Sequence, residues 1–423
     1  MGNDRQQIGR RAFLGVAGGI MILKPQTARG TAANSAVRIG LLGCGGRGTE
    51  DAEGLIKNGG ARLAALADMF DDQLAAARKR FDALAEKNGA ARLDATQIFS
   101  GPRAFEQIVA SKEIDAVVIA TPPYFHPEHL AAAVAAGKHV YCEKPVAVDV
   151  AGAKRAVGIG AKANRRVSLD VGFQIRMAPP FVELVKRIHA GALGEIASAE
   201  AHYYCQALER PDWPGASPVT RRLRNWVHDR VLSGDIIVEQ NIHVIDVCNW
   251  VLQGHPVKAV GTGGRKGRTD HGNAWSHFSV VFTYGNDVHV GFNSTQYGKG
   301  GFDANERFFG PRGNSTSPYT GPLQISGEEA WTWGESDQPQ GEKFSVTGKF
   351  AGNLTQADPE KHKAFIESIT SGNFHNQAAT GAESALSAML GRAAAYSGRE
   401  VTWEEMLRSD ESWDAGIDLS KLT

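Results

Sequence analysis

Val37-Arg38-Ile39-Gly40-Leu41-Leu42-Gly43-Cys44-Gly45-Gly46-Arg47-Gly48 decides how the rest of the chain is read. A short apolar run ending in glycines is the pattern of a buried parallel strand, and Glu50 to Asn58 beyond it has helical character. Glycines at 43, 45 and 48 permit a tight turn and close approach of backbone to a ligand. The start of the following helix favours the negative charge of a pyrophosphate. Gly46 and Arg47 sit inside the same loop, and Arg47 is a candidate phosphate contact. Asp68 closes the next strand, Arg62 to Ala67. Its carboxylate suits the hydroxyls of an adenosine ribose and repels a 2′-phosphate, so NAD is expected in preference to NADP.

Outward from this unit, strand-like and helical stretches alternate. Asp71 to Lys87 is helical, Asp115 to Ala120 is a buried strand, Pro127 to Ala136 is helical and His139 to Cys142 is a strand. That rhythm predicts an α/β fold with a doubly wound parallel sheet, a Rossmann domain over residues 36–160. Beyond it the pattern changes. Strands at Ile196 to Tyr204, Val257 to Gly263, Ser276 to Thr283 and Asp287 to Thr295 predict an α+β domain, 161–423, with a large, mostly antiparallel open sheet. A helix is expected from Gly234 to Leu252, a long loop over 298–322, and helices at Pro359 to Thr370 and Ala382 to Ser397. The last helices are expected to pack back on the Rossmann domain.

Bulk properties narrow the function. A chain of 423 residues exceeds what one core supports, which favours two domains. Lys plus Arg equals Asp plus Glu at 46 each, so there is no basic excess to suggest a nucleic-acid or membrane-surface partner. Cys44, Cys142, Cys205 and Cys248 are scattered, with neither a disulfide framework nor a zinc pattern. Residues 1–35 hold Arg10-Arg11-Ala12-Phe13-Leu14, a modestly apolar stretch and then small residues. They read as a twin-arginine signal that carries folded proteins to the periplasm or beyond, with no membrane anchor.

Three further motifs carry chemistry. Ala120-Thr121-Pro122 and His126 stand at the C-terminal end of a parallel strand, the edge at which such sheets bind ligands. Glu143-Lys144-Pro145 stands at another; Lys144 there can hold a substrate oxygen as negative charge develops. Thr121, Pro122, His126, Glu143 and Lys144 are therefore candidate cofactor contacts. Glu239-x-x-x-His243 puts a carboxylate and an imidazole on one helix face, where His243 can remove a hydroxyl proton. A metal reading of His243 with Asp246 or Glu239 lacks a third ligand, and no metal is expected.

Taken in order, these elements resemble the glucose–fructose oxidoreductase / inositol dehydrogenase (Gfo/Idh/MocA) family. Leu193-Gly194-Glu195-Ile196 and the closing Gly398-Arg399-Glu400-Val401-Thr402-Trp403 strengthen the resemblance. It implies a bound NAD(H) or NADP(H), an open sheet that mediates a homo-oligomer, and Lys144 with His243 as the catalytic pair. The family often has Asp where this chain has Glu239. Gln174, Arg176, Tyr203, Arg224, Trp226, His228 and Tyr297 are polar or aromatic residues suited to a sugar ring and are taken as substrate candidates. The expected activity is oxidation of a small sugar, cyclitol or related polyol with a tightly held, internally recycled cofactor. The alternative is a redox-neutral, NAD-dependent glycoside hydrolase of similar architecture.

Overall fold

The computed structural model describes residues 36–268, 272–334 and 351–419. The twin-arginine stretch lies outside the described residues. No helix among those described is long and apolar enough to cross a membrane.

The first sheet has six parallel strands in the order β3-β2-β1-β4-β5-β6. They are β1 Arg38–Leu42, β2 Arg62–Asp68, β3 Ile98–Ser100, β4 Ala116–Ile119, β5 His139–Cys142 and β6 Leu169–Val171. The order reverses between β1 and β4, and a cleft opens beyond the carboxyl ends of the strands there. β4 is buried at every position, which its run of apolar residues announces. The sheet continues past the expected boundary at residue 160. β6 has only three residues, with the buried Asp170 in the middle, so its hydrophobic signal is weak.

Among the described residues the second sheet has nine strands in the order β14-β13-β12-β11-β7-β10-β9-β8-β15. These are β7 Ser198–Cys205, β8 Lys258–Gly264, β9 His277–Thr283, β10 His289–Gln296, β11 Asp303–Gly310, β12 Gly313–Thr316, β13 Leu323–Gly327, β14 Trp331–Trp333 and β15 Val401–Thr402. Every neighbouring pair is antiparallel except β7 with β10. After β7 the chain leaves the sheet for a helical excursion and returns through β8 and β9, so β10 arrives alongside β7 in the same direction. Alternate β7 residues Ala199, Ala201, Tyr203 and Cys205 point into the core.

Two further expectations need correction. The stretch 298–322 is not one long loop: β11 and β12 form a hairpin there, with Gly310 opposite Gly313. The inward positions of β11 are Ala304, Glu306 and Phe308, so only one large apolar side chain marks the strand. The expected helix Gly234 to Leu252 is two helices, Ile236–Glu239 and Ile242–Leu252, parted at Gln240 and Asn241. Asp235 caps the first at φ 68° and accepts from the Ile236 N–H at 2.8 Å.

Two C-terminal helices pack against earlier elements. Ala357–Ser371 lies along Gly46–Gly59 and sends Phe365 and Ile366 into the core that holds Leu41, Leu55 and Tyr141. Ala378–Ser397, rich in alanine, fits between the helix Val150–Ala163 and β8.

Candidate active site and cofactor groove

The glycine turn is built from close contacts. Gly43 has φ 98°, and a Cβ there would lie 2.6 Å from the Ala120 carbonyl carbon. A Cβ on Gly48 would lie 2.1 Å from the Gly43 oxygen. Gly45 differs: a Cβ there would meet nothing within 4 Å, and the residue lines the groove. Packing therefore does not demand that glycine, and its open side faces the groove. Gly45 caps the helix Gly46–Gly59, whose first turn carries no acidic residue to compete with an anion.

Asp68 lines the same groove, and its two oxygens accept from the N–H groups of Cys44 at 2.6 Å and Phe70 at 2.9 Å. Burial raises its pKa. Thr121 and Pro122 form the opposite wall, with the Thr121 hydroxyl 3.0 Å from His129 Nδ1. Arg224 borders the same groove from the second domain. It lies over the rings of Phe70 and Trp213 at 4.0 and 4.3 Å and binds both oxygens of Asp72. The groove thus fits the adenosine half of a dinucleotide.

A second pocket adjoins it, sharing Ala120, Thr121 and Trp226 as lining residues. Here Lys144, Glu239, His243, Gln174 and Tyr203 come together. Lys144 Nζ donates to the Glu239 backbone carbonyl at 2.6 Å and lies 3.4 Å from Oε1 of the same residue. His243 is buried, its Nδ1 has no partner among the described residues, and its pKa falls well below 6.5. Burial is the main cause, followed by the positive charges of Lys144 and Arg47. The imidazole is neutral at physiological pH and available as a proton acceptor.

Glu143 and His126 line this pocket too. Glu143 accepts from Arg47 Nε at 3.0 Å, and the His126 ring nitrogens each lie 2.7 Å from a carbonyl, those of Pro145 and Thr121. Arg47 also binds Asp358 with two parallel hydrogen bonds and pairs with Asp51. Its guanidinium stands where a cation would sit among Asp51, Asp358 and His362. The side chain offered as a phosphate contact instead joins Glu143 to the C-terminal helix.

Other candidates lie elsewhere. Arg176 is paired with the buried Asp246 at 2.9 Å, which also accepts from Ser384. Asp246 therefore belongs to a structural pair and is not turned to His243. His228 bonds the Glu209 carbonyl and Arg268, and Tyr297 is 43% exposed; neither lines the two pockets. Arg224 falls on the adenosine side, and Trp226 lies between the two pockets. Gln240, which the sequence reading passed over, lines the second pocket.

Comparison with known proteins places the chain in a family. The oxidoreductase family model with an NAD-binding Rossmann fold matches residues 37–171, and the GFO/IDH/MocA C-terminal domain matches 181–316. The chain belongs to the Gfo/Idh/MocA family. Its first domain is an NAD-binding Rossmann domain. The inositol 2-dehydrogenase of Rhizobium meliloti (strain 1021) is 27% identical over 339 residues, 79% of this chain and 89% of that protein. Among solved structures, scyllo-inositol dehydrogenase from Lactobacillus casei, with bound cofactor NAD(H) and scyllo-inositol, has a TM-score of 0.66 at 19% identity. The match covers 87% of this chain and 99% of that one. An aldose-aldose oxidoreductase from Caulobacter crescentus, complexed with glycerol, has a TM-score of 0.66 at 18% identity over the same shares.

Proposed function

We propose that the protein oxidises one hydroxyl of a sugar, cyclitol or related polyol to a carbonyl, using NAD⁺ in preference to NADP⁺. The observation that carries this reading is the meeting of Lys144, Glu239 and His243 in a pocket that shares Ala120, Thr121 and Trp226 with the cofactor groove. A bound nicotinamide supplies the hydride acceptor. Neutral His243 takes the hydroxyl proton. The Lys144 ammonium donates to the same oxygen and stabilises the charge that develops on it, while Glu239 holds the ammonium in place. The resemblance to inositol 2-dehydrogenase favours a cyclitol or a pyranose ring.

The twin-arginine stretch supports export of the folded, cofactor-loaded protein. Outside the cytoplasm free NAD⁺ is not replenished, so one substrate is oxidised and another reduced on the same cofactor. The Arg224–Asp72 closure over the adenosine end favours slow release. Val260 and Val281, opposite one another on β8 and β9, are exposed together with Phe309, and a second copy of the chain is the partner we assign to that sheet face.

Purification without added cofactor, followed by absorbance spectroscopy, tests the resident dinucleotide. Incubation with free sugars and cyclitols is expected to reduce it. Release of the aryl group from aryl glycosides without net NADH would replace this reading with the redox-neutral hydrolase. A chain that neither contains nor binds a dinucleotide would overturn both.

A further inference from the structure

Gln240 occupies the break between the helices Ile236–Glu239 and Ile242–Leu252, and it is buried beside Glu239 and His243. An amide side chain can be placed two ways round, and here its neighbours allow only one. Arg268 can only donate, and its guanidinium donates to Gln296 Oε1 at 3.0 Å. Gln296 Nε2 is thereby turned towards Gln240, whose Oε1 accepts from it at 2.9 Å. Cys205 Sγ lies 3.2 Å from the same oxygen. Burial pushes the Cys205 thiol up to about 12, so it stays protonated and donates. The polarity of Gln240 is therefore set from outside the pocket, and its Nε2 is left as a buried donor with no partner among the described residues.

Other polar atoms of the pocket share that condition. Among the described residues Gln174 Oε1 and Glu239 Oε2 are buried acceptors without a partner, and His243 Nδ1, a donor or an acceptor according to the tautomer, has none either. Buried polar atoms are normally satisfied, so a donor and several acceptors left open around one pocket mark where a ligand completes the set. The cations lining it are already paired, Lys144 with Glu239 and Arg47 with Glu143, Asp51 and Asp358. A carboxylate or phosphate would find its counter-charge taken. Hydroxyl groups, which both donate and accept, match the open atoms.

We propose that Gln240 is a specificity-determining residue whose Nε2 donates to a second hydroxyl of a neutral, polyhydroxylated ring, beside the hydroxyl held by Lys144 and His243. Gln296 is its positioning residue. The inference rests on the polyol reading above.

The test uses the full chain loaded with NAD⁺ and a panel of myo-inositol, scyllo-inositol and D-glucose, followed by ring-deoxy analogues of the best substrate. Gln240→Glu keeps the oxygen that Gln296 and Cys205 hold and replaces only the donor. It is expected to raise KM at least about tenfold, with a smaller change in kcat and unchanged dinucleotide affinity. Gln240→Leu serves as the second variant, with melting temperature as a folding control. One deoxy analogue is expected to lose the same factor on the unsubstituted protein and to lose nothing further on Gln240→Leu. Both variants holding KM within about twofold would overturn the inference and leave the polyol reading standing. Equal losses in kcat, KM and dinucleotide affinity would make Gln240 structural. A panel that leaves the cofactor of the unsubstituted protein unreduced would overturn the polyol reading, and this inference with it.

Discussion

The two halves of the ligand cleft are finished to different degrees. On the adenosine side, polar groups already have protein partners: Asp68 with the Cys44 and Phe70 N–H groups, Thr121 with His129, Arg224 with Asp72. On the catalytic side, Gln174, Glu239, Gln240 and His243 each keep a buried polar atom without one among the described residues. The first half is a mould whose shape holds by itself. The second is a set of open valences that an incoming molecule closes, which is where discrimination between similar molecules is strongest.

Removing the chemistry should break the catalytic half alone. Lys144→Ala and His243→Ala are each expected to lower kcat by about 10²- to 10⁴-fold, with dinucleotide affinity from fluorescence titration little changed. Loss of dinucleotide binding in step with kcat would mean that the two halves are one site.

Acid should separate the halves by what each loses. His129 lines the groove of Asp68 and Thr121, and His362 is buried beside Asp51 between the helices Gly46–Gly59 and Ala357–Ser371; burial lowers their pKa values to about 3 and about 4. Each folded-state value lies below the unfolded one, so the unfolded chain takes up protons first as pH falls below 6.5. Each residue should then cost about 2 kcal/mol of stability between pH 6.5 and pH 5. His375, raised by its hydrogen bond to Asp170, opposes the trend. Denaturant titrations over this range check the sign. His243, lowered by burial and then by Lys144 and Arg47, should place the acid limb of kcat/KM below pH 6.5. An acid limb above that value would mean that a different group is the base.

Gly45→Val tests the mould. Its side chain meets open space in the fold but enters the groove, so dinucleotide affinity should fall by about 1–3 kcal/mol while the melting temperature is kept. A fall in melting temperature instead would show that packing, not the ligand, requires the glycine.

Arg224→Ala should have the smallest effect. Asp72 is 56% exposed in the pair, so the closure contributes no more than about 1 kcal/mol. Stopped-flow release of the dinucleotide should quicken severalfold or less. An unchanged rate would assign cofactor retention to the glycine turn.

Much of this was legible in the sequence. The glycine turn, Asp68, Thr121, Lys144, Glu239 and His243 all stand at strand ends or on short helices whose place follows from local pattern. The residues that went astray depend on distant partners. Arg47 looked free in its loop, yet Asp358, far along the chain, holds it in two hydrogen bonds. Arg176 looked poised over the cleft, yet Asp246 and the Trp250 ring occupy it. Gln240 gave no signal because its orientation depends on Arg268 through Gln296, and no spacing rule connects the three. β11 was hidden because Glu306, a buried carboxyl that burial pushes up to about 8, stands where an apolar residue would have marked a strand.

The helix Ala357–Ser371 bears on how the chain reaches its native state. It supplies Phe365 and Ile366 to the core under the glycine turn, and Asp358 to Arg47 within it. A ribosome that has released only the first domain has therefore released an unfinished one, with a gap beside Leu55 and Tyr141. The nucleotide-binding half, made first, is completed among the last. A nascent fragment that ends before Ala357 should therefore neither hold a dinucleotide nor resist a protease.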